Sequence, residues 1–223
     1  PVRMEMAPGN RLIIDDMGNA KLIFYSLAGA CLKEIATGER WSTIRFQFDS
    51  KGHIYGDTRI YGDKITTELI KFDSEFEPIA TIASFEDKKR IPSVEQAFLT
   101  RFSFNVDRDD NLIWLVTSKY ELSVLNSKGK TIKRIIKDYD PVKITDKIKK
   151  KLIKEQFGDR GIPPSKTFEV PSHFPPIRYF IVDDKSRIFL STYEYEEKDG
   201  SYNLYYDVFD ARGRYIAKFS LPE

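Results

Sequence analysis

The stretch Glu121–Ile135, Glu-Leu-Ser-Val-Leu-Asn-Ser-Lys-Gly-Lys-Thr-Ile-Lys-Arg-Ile, reads as a β-hairpin. Leu122 and Val124, then Ile132 and Ile135, fall into two short runs with the near-alternation of half-buried strands. Asn126-Ser127-Lys128-Gly129 lies between them. An Asn side chain can accept from the backbone two residues on, and a Gly three residues later takes φ > 0 without a Cβ penalty. A type I turn closed by a left-handed Gly is the connection expected here.

The hairpin recurs. One hundred residues upstream, Lys21–Ile35 sets Tyr25-Ser26-Leu27-Ala28-Gly29 on Leu125-Asn126-Ser127-Lys128-Gly129. Further copies are Glu68–Ile82, around Phe72-Asp73-Ser74-Glu75-Phe76, and Tyr205–Phe219, around Phe209-Asp210-Ala211-Arg212-Gly213. Phe76 breaks the pattern, because a bulky residue is strained at φ > 0, so that turn is expected to differ. A second unit precedes each hairpin: Phe48–Tyr55, Val106–Ile113, Val182–Phe189 and, more weakly, Met6–Ile13. Together they make strand, Asp/Gly turn, strand, longer loop, strand, turn, strand. That is a four-stranded antiparallel meander of about 40–50 residues, the period of a propeller blade.

The expected fold is therefore all-β: a β-propeller built of four-stranded antiparallel blades, at about 2–36, 44–83, 102–137 and 177–220. A helix-containing insertion at about 140–176 separates the third and fourth blades. In it Thr145 or Asp146 caps a helix, Ile144, Ile148 and Leu152, with Ile153 and Phe157, form an apolar stripe at helical spacing, and Gly158 stops it. Its other face holds Lys147, Lys149, Lys150, Lys151 and Lys154, expected to be a solvated face of a helix laid on the propeller. A proline-rich arm, Gly161–Pro176, then leads into the fourth blade.

The 36 basic and 34 acidic residues nearly cancel, so no general attraction to polyanions and no nucleic-acid partner is expected. No run of apolar residues is long enough for a membrane-spanning helix. Cys31 is the only cysteine, expected as a small packing residue on a strand. The chain opens on Pro1 inside a first strand, from which a processed or trimmed polypeptide is expected. Asp57 and Asp63 sit in what reads as a middle loop, Gly56–Lys64, but calcium needs about six convergent oxygens. The acidic stretch Glu194–Ser201 reads as the corresponding loop of the last blade. No metal and no cofactor is expected.

In a propeller the loops after the second and fourth strands share one face. That face is expected to collect Arg40, Trp41, Arg90, Arg101, Tyr120, His173, Arg178 and Tyr193 as a ligand-binding surface. His53 falls in a first-to-second strand turn on the opposite face, so it cannot pair with His173. No phosphate loop and no Gly-x-Ser-x-Gly elbow occurs, and no catalytic residue is assigned.

The repeated apolar-Asp-x-x-Gly-x-Ile-Tyr, followed by Ile-x-x-Phe-Asp-x-x-Gly, resembles the NHL-like and TolB-like six-bladed β-propellers. Phe48–Tyr55, Val106–Ile113 and Val182–Phe189 carry the likeness, with the hairpins at Phe72, Leu125 and Phe209. The insertion before Ile177 is similar to that of bacterial six-bladed propellers. The resemblance implies a fold that hosts binders, lyases and lactonases alike, and a periplasmic or extracellular location. Four blades are recognisable rather than six, so the chain is expected to be a portion of a longer propeller, the other reading being a complete four-bladed ring. A portion needs its missing blades or self-association to cover its outer faces. The leading expectation is a non-enzymatic scaffold that binds a protein, peptide or glycan. A lyase or hydrolase with an Arg/Tyr/His site at the central channel, and a structural module assembling through open blade edges, are the alternatives.

Overall fold

The hairpin turn is built as its residues dictate. In the computed structural model, which describes residues 2–16, 18–37, 45–61, 64–87, 91, 93–198 and 201–222, β12 (Glu121–Leu125) and β13 (Thr131–Ile136) flank the turn. Gly129 has φ 77° and donates its N–H to the Asn126 carbonyl at 2.8 Å. The Asn126 side chain accepts from the N–H groups of Lys128 (3.1 Å) and Lys130 (3.0 Å). The same double acceptance recurs at Asp49, Asp73, Asp183 and Asp210. A carboxylate or amide at the turn's first position thus satisfies donors that no strand partner reaches.

The Phe76 turn does not differ. Phe76 has φ 67°, and its N–H donates to the Asp73 carbonyl at 3.2 Å as the glycines do elsewhere. Burial offsets the strain: the ring stacks on Phe72 at 4.4 Å and meets Phe46 edge-on at 5.7 Å.

Four four-stranded antiparallel sheets follow the chain in order. Sheet 1 is β1 (Val2–Ala7), β2 (Arg11–Asp16), β3 (Lys21–Ser26) and β4 (Cys31–Ala36). Sheet 2 is β5 (Phe46–Phe48), β6 (Ile54–Tyr61), β7 (Ile65–Phe72) and β8 (Pro78–Asp87). Sheet 3 is β10 (Phe102–Val106), β11 (Leu112–Val116), β12 and β13, and sheet 4 is β15 (Ile177–Val182), β16 (Ile188–Lys198), β17 (Ser201–Phe209) and β18 (Tyr215–Pro222). Two structural units result, Pro1–Lys88 with Arg108–Asp110, and Lys89–Asp107 with Asn111–Glu223. In the first, Ile13, Leu22, Phe24 and Ile35 of sheet 1 pack on Phe46, Ile54, Ile70 and Phe72 of sheet 2. In the second, Ile113, Leu115, Leu122, Val124 and Ile135 of sheet 3 pack on Ile177, Phe180, Ile188, Leu190 and Phe209 of sheet 4.

Three expectations need correction. Gly56–Tyr61 is strand, not loop: the β6–β7 ladder runs through to Tyr61 opposite Ile65, so Asp57 lies in the ladder opposite Leu69. Glu194–Lys198 is strand as well. There Glu196 accepts from Tyr205 Oη (3.0 Å) and Ser220 Oγ (2.7 Å), cross-strand pairs that hydrophobic alternation does not reveal. Cys31 is exposed, at the start of the edge strand β4, rather than packed. Asp63 lies outside the described residues.

The insertion holds α1 (Asp146–Phe157). The Thr145 hydroxyl accepts from the Ile148 N–H at 3.3 Å, and the Gly158 N–H donates to the Lys154 carbonyl. No residue of α1 is buried, so the stripe is only partly covered; Phe157 meets Phe168 edge-on at 5.3 Å. Phe168 belongs to β14 (Thr167–Glu169), which pairs in parallel with β9 (Val94–Gln96). Both strands lie outside the four expected blades. Among the described residues no helix is long and apolar enough to cross a membrane.

Candidate functional site

The second unit contains a cleft whose walls come from breaks in the sheet 4 ladder. In β15 the register shifts between Ile177 and Tyr179, leaving Arg178 as the extra residue. In β16 it shifts between Ser191 and Tyr195, so Thr192, Tyr193 and Glu194 leave the regular alternation. A bulge re-aims the side chains it carries. Thr192, Tyr193 and Glu194 all line the cleft, with Tyr120, Tyr139, Asp140, Val142 and Phe174–Pro176. The cleft is shallow: its enclosed space is about that of one water molecule, and the rest opens to solvent.

The insertion supplies the facing wall. The Phe174 N–H donates to the Val142 carbonyl and the Ile144 N–H to the Ser172 carbonyl, each at 2.9 Å, with a bridge between Lys143 and His173. These bonds hold the proline arm in place. Phe174 then stacks on Tyr193 at 4.7 Å and meets Phe98 at 5.1 Å, while Phe98 meets Tyr193 at 5.4 Å. The Arg178 guanidinium lies 5.4 Å from the Tyr193 ring centre. Burial pushes the Tyr193 phenol pKa up, against the charges of Arg178 and Arg101, which pull it down.

Behind the cleft lies a buried carboxylate. Asp207 is fully buried and accepts from Tyr120 Oη at 2.5 Å, from Lys137 Nζ at 2.9 Å and from Tyr215 Oη at 3.1 Å. Lys137 also lies over the rings of Tyr120 (5.2 Å) and Tyr215 (5.1 Å). A buried charge requires this kind of pairing and hydrogen bonding. Burial, and then the Asp207 carboxylate, hold the Tyr120 phenol far above its ordinary pKa. Tyr120 therefore keeps its proton and directs it at Asp207, which suits it to rigid display and not to proton abstraction. Glu194 is likewise engaged, by Lys218.

Of the residues expected at a site, Tyr120 and Tyr193 line the cleft, and Arg178 and Arg101 act on Tyr193. His173 adjoins Phe174, but its ring Nδ1 lies 3.0 Å from Ser172 Oγ and it is exposed outside the lining. Arg40, Trp41 and Arg90 fall outside the described residues. His53 lies in the first unit, where its Nδ1 is 2.7 Å from the buried Asp49. Its position in the turn is the one held by Arg187 beside Asp183 and Arg214 beside Asp210, a structural clasp.

The residues missed were Phe98, Tyr139, Phe174, Lys137 and Asp207. Asp207 carried a signal. It stands where the second repeat has the core residue Ile70, and a carboxylate at such a position announces a buried partner. The aromatic cluster had none, since it draws on three segments distant in sequence. Among the described residues no group of three His, Cys, Asp or Glu is placed to hold a metal ion.

No family model matches the chain and no curated protein matches it. Solved structures do. A member of the duf4221 family from Bacteroides vulgatus is similar over 96% of this chain and 64% of its own, at 11% identity and a TM-score of 0.50. Regucalcin from Agrobacterium tumefaciens, a calcium-binding protein, matches over 98% and 59% at 11% identity (TM-score 0.43). Virginiamycin B lyase from Staphylococcus aureus matches over 99% and 70% at 7% identity (TM-score 0.45). The chain thus spans less than two thirds of the first of these. At such identities the likeness speaks for fold alone: this chain is an all-β protein of four-stranded antiparallel propeller blades with one helix-containing insertion.

Proposed function

We propose that the chain is a non-enzymatic propeller scaffold that binds a glycan unit across the mouth of this shallow, aromatic-lined cleft. The carrying observation is the locked ring set: Tyr193 held by Phe174 and Arg178, and Tyr120 held by the buried Asp207. The Tyr139 ring, 38% exposed and tilted against the buried Tyr120, offers stacking for the apolar face of a sugar, and Asp140, Thr192 and Glu194 beside it offer hydrogen bonds for its hydroxyls. Such a floor loses little entropy on binding, because its side chains are already fixed. Tyr120, bonded to Asp207, and Glu194, paired with Lys218, are committed to internal partners, which favours binding over a lyase or hydrolase reaction. The extended ligand-binding surface, including Arg101, Arg178 and His173 on its rim, belongs to the same proposal.

The test is calorimetric titration with a panel of neutral oligosaccharides, together with mass spectrometry of each mixture for cleavage products. Binding without product is the expected result. Tyr139 is 38% exposed and tilted against Tyr120, so Tyr139→Ala removes a stacking surface with little effect on folding. One ring contact is worth about 0.5–1.5 kcal/mol, or roughly a two- to tenfold weaker affinity. No binding across the panel, an unchanged affinity in Tyr139→Ala, or steady product formation each overturns the reading.

A further inference from the structure

The insertion concentrates charge that the rest of the chain balances. Residues 143–160 hold seven of the 36 basic residues and three of the 34 acidic ones, a net charge of +4, against −2 for all other residues together. Four of the seven, Lys147, Lys150, Lys151 and Lys154, form a row on α1 within an arc of about 100°. All four are exposed. The half-buried Ile148, Leu152, Ile153 and Phe157 fall outside that arc, and Phe157 is held against Phe168.

This row costs the helix stability. Lys147 and Lys151, and Lys150 and Lys154, are i, i+4 neighbours of like charge; Lys147 and Lys150, and Lys151 and Lys154, are i, i+3 neighbours. Each is a repulsive pair. Lys147 also stands in the first turn, where the helix dipole disfavours a cation. Lys151 lies 3.7 Å from Glu155, and Lys154 lies 2.8 Å from Asp159, but both pairs are exposed at each end and contribute little. Among the described residues Lys147 and Lys150 pair with no carboxylate. A face made only for solvent intersperses glutamate with lysine at these spacings, which turns repulsion into attraction.

The row also begins beside the cleft. Val142 lines the cleft, the exposed Lys143 is bridged to His173, and the Ile144 N–H donates to the Ser172 carbonyl just before Thr145 caps α1. From Lys147 onward the lysines advance along the helix in steps of about 4.5–6 Å, comparable with the length of one sugar ring in an extended chain. We infer that the ligand is an acidic polysaccharide built of uronic-acid units, with one unit across the cleft mouth and the following carboxylates along the lysine row of α1. This rests on the glycan-binding reading above and adds the charge and the direction of the ligand. A sugar chain is favoured over other polyanions because the row starts at the cleft edge. A lipid surface is disfavoured because the apolar residues of α1 are half-buried on the protein and none lies in the row to enter a bilayer.

The test compares, by calorimetric titration at low salt, a uronic-acid hexasaccharide with its carboxyl-reduced, neutral counterpart. Four exposed ion pairs of roughly twofold each predict at least tenfold tighter binding of the acidic sugar. High salt should close the gap. The combined Lys147→Gln, Lys150→Gln, Lys151→Gln and Lys154→Gln variant should close it too, with neutral-sugar affinity unchanged and thermal unfolding at the same or a higher temperature, since repulsion is removed. The combined Lys51→Gln, Lys128→Gln, Lys130→Gln and Lys185→Gln variant removes the same charge from exposed turn lysines and should leave the gap unchanged within about twofold. Equal binding of the two sugars, or an equal loss in the two variants, overturns the inference and leaves the cleft reading standing. Row-dependent binding of phosphatidylserine vesicles or single-stranded DNA, as tight as that of the acidic sugar, overturns it as well. Acidic-sugar binding that needs the row but ignores Tyr139→Ala, with no binding of the neutral sugar, overturns the cleft reading and keeps the row. No binding of either sugar overturns both.

Discussion

Removing one oxygen atom from Tyr120 tests whether the carboxylate behind the cleft is held as its geometry indicates. Tyr120→Phe keeps the ring, and with it the packing in the core of sheets 3 and 4, but deletes the donor to Asp207. Asp207 has no access to water, so the lost bond is not replaced. A hydrogen bond to a charged group contributes about 1.5–3 kcal/mol. Lys137 still pairs with the same oxygen, and Tyr215 with the other, which favours the lower half of that range. With a urea slope of about 2 kcal/mol per M, the midpoint falls by roughly 1 M. Lys137→Met is the stronger perturbation, because it leaves a buried charge without its counter-ion. It should cost about 3 kcal/mol, the low end for a broken buried pair, since Lys137 retains 25% side-chain exposure. Tyr215→Phe, on a ring 46% exposed, should cost about 1 kcal/mol or less. The assay is urea unfolding of each variant followed by circular dichroism, with Asp207→Asn as the second arm of a cycle. In the Asp207→Asn background the cost of Tyr120→Phe should shrink by about 1 kcal/mol. If Tyr120→Phe costs under about 0.5 kcal/mol, or costs the same with and without the Asp207 charge, the hydroxyl does not hold the carboxylate and the rigidity of the floor loses its cause.

The turn glycines separate backbone strain from crowding. Gly29 and Gly213 share φ near +80°, but a Cβ on Gly29 meets nothing within 4 Å, whereas one on Gly213 falls 2.9 Å from two carbons of Ile135. Gly29→Ala should therefore cost about 1 kcal/mol and Gly213→Ala at least about 1 kcal/mol more, by thermal unfolding; equal losses would mean that the Ile135 contact yields freely. Stability should also fall in acid. Burial raises the Asp183 pKa, but the Arg187 guanidinium and the turn N–H groups more than offset it and hold the carboxyl below its ordinary 3.8. A depressed folded value favours the charged form in the folded state. Its contribution is present above about pH 4 and is lost as pH falls through the folded value. Asp183→Asn keeps the turn acceptor, as Asn126 shows, and should flatten the urea midpoint between about pH 5 and pH 2. An undiminished acid slope in that variant would place the sensitivity elsewhere.

The blades were legible because their information is local. An Asp or Asn followed three residues on by a left-handed residue forms its turn from its own side chain and backbone, whatever surrounds it, and period-two alternation marks the strands on either side. The α1 cap at Thr145 and stop at Gly158 are local in the same way. Reading failed where a neighbour overrode the local rule. Phe76 adopts the glycine conformation because Phe72 and Phe46 bury its ring. The charged strand around Glu196 is held by Tyr205 and Ser220 across the sheet. Tyr120, Arg101, Arg178 and Tyr193 could be nominated from loop position, but Phe98, Phe174 and Asp207 could not. What drew these residues together was a pair of register breaks, at Arg178 and at Thr192–Glu194, and the parallel pairing of β9 with β14. By itself the sequence determined the repeat, the turns and the strand order, since each depends on residues within a few positions of one another. Only the tertiary structure decided which rings share a cleft and which carboxylate lies behind it, because those contacts join segments tens of residues apart and depend on bulges that alternation does not encode.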